Sequence, residues 1–326
     1  MNTLTVMNTL TIMNTLTDKV VAGFDGSWHS RPALERAVEA AVDRNLPLTI
    51  LTVVSTVFDP ELSSHEQSAA ARARLEGSTA KAMHAAAEVR DREPIVPVSV
   101  KVVLDTDGDR LGSHLTGCRL LVLGDRGTSG SRAFLLGTVS RELMRVASCP
   151  VLVISGQARP QIRGDDADSA SCAGAVVVGL GRDDEGIQVL RAAAAEATRT
   201  GARLFIVHSY AADGEGEGAQ RLTKARELVE LRLQDAQLGE GLLVTTILTP
   251  HPAAESLLLA GRLAHLLVIG SRGPMALARL TLGSVSRQVL DATSTAVLVI
   301  PATVGRLPDD GAAHRSSQLG PPVVQH

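Results

Sequence analysis

Aromatic side chains are nearly missing from this 326-residue chain: four Phe, one Trp and one Tyr, 2% of the total. A core so poor in rings has to be assembled from Val, Leu, Ile and Ala. The stacked aromatic platform that holds single-stranded nucleic acid is excluded. An excess of positive charge is missing too. The net charge of −3 at pH 7 gives no basic surplus to neutralise a phosphate backbone. Cysteine is scarce: Cys118, Cys149 and Cys172 form no CxxC pair, so a disulfide scaffold is excluded and a reducing compartment is the simplest setting. No apolar run approaches the roughly 18 residues a membrane helix needs. The first basic side chain is Lys19, which leaves the N-terminus without the charged start of a secretory signal. The expectation is a soluble, cytoplasmic protein with neither nucleic acid nor membrane as partner.

What is present is repetition. At roughly 150 residues per domain the length predicts two domains, and a single core rarely grows past about 250–300 residues. A short tandem repeat, MNTLTV-MNTLTI-MNTLTD, fills residues 1–18 and offers three starting Met residues; it reads as a mobile leader over 1–17. A larger repeat spans the rest. GTVSRELMRVASCPVLVI (137–154) and GSVSRQVLDATSTAVLVI (283–300) agree at nine of eighteen positions, and GDRG (124–127) answers GSRG (270–273), both at an offset of 146. VVAGFDGS (20–27) answers VVVGLGRD (176–183) at an offset of 156. A period this long means two copies of a whole domain. The boundaries expected are domain one at 18–155, a Gly/Asp/Ser-rich linker at 156–174, domain two at 175–301 and a disordered tail at 302–326.

Each copy alternates apolar, β-branched runs with helical patterns. In copy one, strand-like runs at 18–24, 47–55, 96–104, 119–124 and 150–155 enclose helical stretches at 30–44, 65–91, 108–116 and 138–148. Copy two repeats the order. Strands apolar on both faces that alternate with helices predict an α/β fold: two tandem doubly wound domains, each a five-stranded parallel sheet with helices on both faces. The charged stretch 218–238 is expected to turn Leu222, Leu228, Leu231 and Leu238 inward.

In such a sheet, ligands sit beyond the carboxyl ends of the strands. The loop after the fourth strand reads Gly124-Asp-Arg-Gly127, nine residues, then Gly137-Thr138-Val139-Ser140; copy two has Gly270-Ser-Arg-Gly273, nine residues, Gly283-Ser284-Val285-Ser286. Glycine lets a backbone approach a ligand closely. A Gly followed by a hydroxyl residue at a helix start presents free N–H groups to an anion, and the helix dipole favours the charge. The loop is neither a Walker A motif nor GxGxxG. As bare spacing, two Gly pairs are equally what turn glycines and a helix N-cap look like; the duplication favours a phosphate cradle. The nine His include no HxxxH or HExxH pair and supply no zinc set. No GxSxG elbow surrounds Ser129. Cys149, ahead of Pro150, reads as a buried thiol.

Together, the loop pattern G-x2-G-x9-G-[S/T], the start VVAGFDGSWHSRPAL and the closing CPVLV resemble the ATP-binding branch of the universal stress protein family, twice in tandem. The resemblance implies the adenine nucleotide alpha hydrolase-like fold. It also implies that Asp25, between Phe24 and Gly26-Ser27, takes the adenine amine, that Val53 packs on the base, and that Leu123, Gly124, Arg126, Gly127, Gly137, Thr138, Val139 and Ser140 line the ribose and phosphates of ATP, with Mg²⁺ beside them. In copy two Gly181 stands where Asp25 stands, so Gly270, Arg272, Gly273, Gly283, Ser284, Val285 and Ser286 keep an anion cradle whose adenine recognition is in doubt. One strong site per chain is expected. The implied function is a nucleotide-dependent regulatory module in stress response, acting on an unidentified protein partner, with at most slow hydrolysis because no water-positioning base is identifiable. Two other readings stay open: an ATP-using enzyme on the same scaffold, and an interaction protein with a vestigial loop. Family members pair their last strands between subunits, which predicts an intramolecular pseudo-dimer through 150–155 and 296–301, with a further homodimer open.

Overall fold

The computed structural model describes residues 18–55, 63–105, 108–125, 137–155, 172–183, 185–210, 218–271 and 282–302. Residues 1–17, most of the expected linker, the tail beyond residue 302, and Arg126, Gly127, Arg272 and Gly273 lie outside these residues. In the N-terminal half the elements run β1 (Lys19–Gly23), α1 (Ser30–Arg44), β2 (Leu48–Ser55), α2 (Ser64–Arg92), β3 (Val98–Asp105), α3 (Gly108–His114), β4 (Cys118–Gly124), α4 (Thr138–Val146) and β5 (Val151–Ile154). The C-terminal half repeats them: β6 (Val176–Gly179), α5 (Glu185–Thr200), β7 (Leu204–Ser209), α6 (Gly218–Ala236), β8 (Val244–Thr249), α7 (Ala253–Gly261), β9 (Leu266–Gly270), α8 (Ser284–Ala292) and β10 (Val297–Ile300).

Local chemistry sets the helix ends. Ser63 and Glu66 close a capping box at the start of α2, each side chain bonding the other's backbone N–H. Asn45 ends α1 in the left-handed region at φ 51° and returns its N–H to Ala41 and Val42, a conformation Asn tolerates better than most residues.

The strands form one sheet of ten, in the order β3-β2-β1-β4-β5-β10-β9-β6-β7-β8. All neighbours are parallel except β5 and β10, which meet antiparallel with Leu152 opposite Leu298. Those two leucines occupy equivalent places in the two copies, so a pseudo-two-fold axis passes between them. The two parallel five-stranded units thus merge edge to edge. This buries the backbone groups that each terminal strand would otherwise leave unpaired.

Two apolar layers flank the sheet and both run across the junction. Even-numbered strand residues such as Val20, Ile50 and Val122 pack with Ala37, Ala86, Leu190 and Ala193 from α1, α2 and α5. Odd-numbered ones such as Val21, Leu51 and Leu121 pack with Leu111, Leu143, Leu257 and Val289 from α3, α4, α7 and α8. One inward face differs from its expectation. The buried stripe of α6 is Ala225, Val229 and Ala236, and Leu231 is 51% exposed. Spacing of three and four from Ala225 through Val229 reaches 232–233 and 236, which turns position 231 outward.

Candidate functional site

Parallel order places β1 beside β4, with Ala22 level with Val122. From β1 the chain winds outward through β2 and β3, then returns to β4 on the other side. The carboxyl ends of β1 and β4 therefore flank the point where the winding reverses, the place where such sheets open a crevice. Gly23 ends β1 and Gly124 ends β4. A Cβ at Gly23 would stand 2.6 Å from Cδ2 of Leu123, so the absence of a side chain lets these two strands close up.

The loop after β1 is built around its acid. Asp25 Oδ1 accepts the Ser27 N–H at 2.9 Å, which folds the carboxylate over the turn. Gly26 sits at φ +77°, and a Cβ there would meet Cδ of Lys81 at 2.6 Å. Ser27 is tied to the first residue of the next helix: its carbonyl accepts from Ser30 Oγ at 2.9 Å, and its hydroxyl accepts the Ser30 N–H at 3.3 Å. Across the crevice, α4 begins at Gly137 in extended backbone, without a side-chain cap and with no acid in its first turn. Its opening N–H groups carry the positive end of the helix dipole, and among the described residues no N-cap side chain bonds them. Ser140 Oγ donates to the Gly124 carbonyl at 3.3 Å and ties this helix start to the end of β4.

Asp25, Val53, Gly124, Gly137 and Ser140 thus gather at one end of the sheet. Val53 is half-buried on β2, on the layer of α3 and α4. Phe24 and Leu123 hold structural places. Phe24 is buried in the α1/α2 layer, and its N–H and carbonyl are taken by Leu51 and by the Thr52 hydroxyl at 2.9 and 2.7 Å. Leu123 is buried beneath Gly23.

Several neighbours escaped the sequence reading. Asp125, 6% exposed, accepts from Ser155 Oγ at 2.9 Å, bracing the ends of β4 and β5. Lys81, on α2, lays its stem over Gly26. The chain's lone Trp, Trp28, is 66% exposed and stacks on His29 with ring centroids 3.5 Å apart. Lys81 reaches the loop from a helix far along the chain, and Asp125 and Trp28 stand inside the two motifs, where spacing alone gives them no role.

The C-terminal half repeats the cradle and alters its rim. Gly283 starts α8 in the same extended conformation as Gly137, and Ser286 Oγ donates to Gly270 at 2.6 Å. Ser284 and Val285 open that helix. At the place of Asp25 stands Gly181, exposed, with no carboxylate of its own. His208 replaces Thr52, its Nδ1–H donating to Leu180 at 2.9 Å. Ser209 replaces Val53 and bonds the His251 carbonyl at 2.6 Å.

A family model described as universal stress protein family matches residues 17–155 and 174–301. The chain belongs to the universal stress protein family. Two curated relatives from Mycobacterium tuberculosis share the full tandem length. Universal stress protein Rv2005c is 30% identical over 292 residues, 86% of this chain and 96% of its own. Universal stress protein Rv1996 is 28% identical over 332 residues, covering 90% and 96%. Among solved structures, a universal stress protein from Archaeoglobus fulgidus superimposes with a TM-score of 0.61 at 17% identity, covering 87% of this chain and 98% of that one. It supports the fold alone. No helix among the described residues is long and apolar enough to cross a membrane.

Proposed function

We propose that the N-terminal half of this universal stress protein binds one adenine nucleotide, ATP with Mg²⁺, and that occupancy switches a surface read by a partner protein. The observation that carries this reading is the pairing of the Asp25 carboxylate with the uncapped start of α4 across the β1/β4 crevice. Oδ1 is engaged by its own turn, and Oδ2 can accept from an exocyclic amine. Val53 offers an apolar wall to the base. The phosphates would lie at the N-terminus of α4, where dipole and N–H groups meet negative charge. Among the described residues no three His, Cys, Asp or Glu stand together as metal ligands. Mg²⁺ would then be held by phosphate oxygens and water, its usual arrangement on nucleotides. The C-terminal half keeps the anion cradle and lacks the acid, which supports a stoichiometry of one. The chain's part is to bind and orient, and hydrolysis, if present, is slow.

Trp28 stands three residues from Asp25 and is the sole Trp, so its fluorescence reports on this loop. Titration with Mg·ATP should shift that emission and saturate at one nucleotide per chain by calorimetry. Asp25→Ala should weaken binding about 10- to 100-fold, the worth of one charge-assisted hydrogen bond. A stoichiometry of two, or unchanged affinity in Asp25→Ala, refutes the assignment.

A further inference from the structure

The second feature lies at the opposite end of the N-terminal half, on the face covered by α3 and α4. Lys19 opens β1 and is only 8% exposed. Register puts it beside Cys118 of β4, and alternation turns it to the same face as Thr49 and Lys101. Thr49 is buried, with its hydroxyl 3.0 Å from that of Ser99. His114, at the end of α3, has a buried Nδ1 without a hydrogen-bond partner. No described acid balances this group. Asp18, next in sequence, points to the other face by alternation and pairs with Arg119 at 2.8 Å.

The charges feel one another. Burial and then Lys19 hold the Lys101 ammonium below its ordinary range. Burial, Lys101 and Lys19, in that order, push the His114 imidazole down. The Cys118 thiol, raised first by Cys149 and then by burial, stays neutral. Gathering cations away from water without a counter-charge is costly.

The scaffold does not require it. At the equivalent places of the C-terminal half stand Ala175 for Lys19, Phe205 for Thr49, Ile247 for Lys101, Ala260 for His114 and Ala264 for Cys118. All five belong to, or pack against, the ordinary apolar layer. In the C-terminal half apolar side chains take these five places, Thr245 stands for Ser99, and the Arg203 guanidinium lies 4.9 Å from the centre of the Phe205 ring and 3.5 Å from the Thr245 hydroxyl; the N-terminal half sets two ammonium groups, an imidazole and two hydroxyls there.

From this contrast we infer that Lys19, Lys101 and His114, floored by Thr49 and Ser99, form an anion site for a small phosphate-type dianion, separate from the crevice at the strand carboxyl ends. The three basic groups come from β1, β3 and α3, so an anion would bridge the inner strand, the sheet edge and the covering helix. Thr49 and Ser99 bond each other, and Ser99 Oγ also donates to the Leu48 carbonyl at 3.5 Å, so the two ammonium groups and the imidazole are the donors an oxyanion would meet. The partly exposed Ser99, Lys101 and His114 leave a way in beside the edge strand β3.

The test uses the full chain and inorganic phosphate at constant ionic strength, with chloride as the reference anion. Calorimetry should show phosphate binding that Lys101→Ile and Lys19→Met each weaken about tenfold or more, the scale of one lost close charge pair. The His114 ring resonances should follow the titration, with the imidazole pKa rising as phosphate fills the site. Without phosphate, Lys19→Met should melt no lower than wild type, because it removes an unbalanced buried charge; this checks that the variants fold. Phosphate binding unaltered in both variants, a His114 resonance that ignores phosphate, or no heat beyond the chloride reference each overturns the inference.

Discussion

The seam between the halves can be tested by reversing one charge. Arg199, on α5, bonds Asp43 of α1 and also Glu196 one turn back at 2.7 Å, while Arg44 bonds Glu196 from the other half. Positions 43 and 199 are equivalent in the two copies. Around a true two-fold axis such a place faces its own kind; here an acid faces a base. Arg199→Glu removes two attractive contacts and sets a third carboxylate beside Asp43 and Glu196. These side chains are 14–42% exposed, so each lost pair is worth about 0.2–1 kcal/mol. Each new repulsion costs a similar amount. The sum is about 1–3 kcal/mol, read as a lower urea midpoint with unchanged slope. Adding Asp43→Arg restores one opposite-charge contact and should recover about 0.5–1 kcal/mol, since contacting residues couple. A single variant as stable as wild type, or a double variant no better than the sum of its singles, would refute the view that these charges lock the two halves.

Two further outcomes follow from the geometry. Gly26→Ala forces a side chain into the left-handed region and against Lys81; it should cost about 1 kcal/mol in thermal melts and weaken nucleotide binding by moving Asp25. Stability should also fall as the pH drops. His265 at the seam is held down first by burial, then by Arg36 and Arg199, and His114 is lowered likewise. Both are neutral in the native state, so the unfolded chain takes up more protons and stability declines below the ordinary His value of about 6.5. His265→Asn should flatten the decline between pH 7 and 5 in denaturant titrations; an identical slope contradicts the assignment.

Much of this architecture was legible in the chain because strand and helix patterns differ in period and the motifs occur twice. Glycine pairs such as Gly124 and Gly137 mark the loop, and Gly181 in place of Asp25 marks the altered rim. Other features leave no periodic trace. Thr52 and His208 perform the same backbone contact with unrelated side chains, and only the register of β2 and β7 shows it. Lys19 and Lys101 sit inside strands that read as apolar, so their convergence depends on pairing between distant segments. Leu231 went astray because helical spacing alone permits more than one inward stripe, and the partner surface chooses among them.

The antiparallel junction of β5 and β10 has a dynamic consequence. Because both edges belong to one polypeptide, their pairing is intramolecular and does not depend on protein concentration. Dilution therefore does not separate them. A rearrangement at this junction therefore takes place as a change of shape within a covalently joined pair.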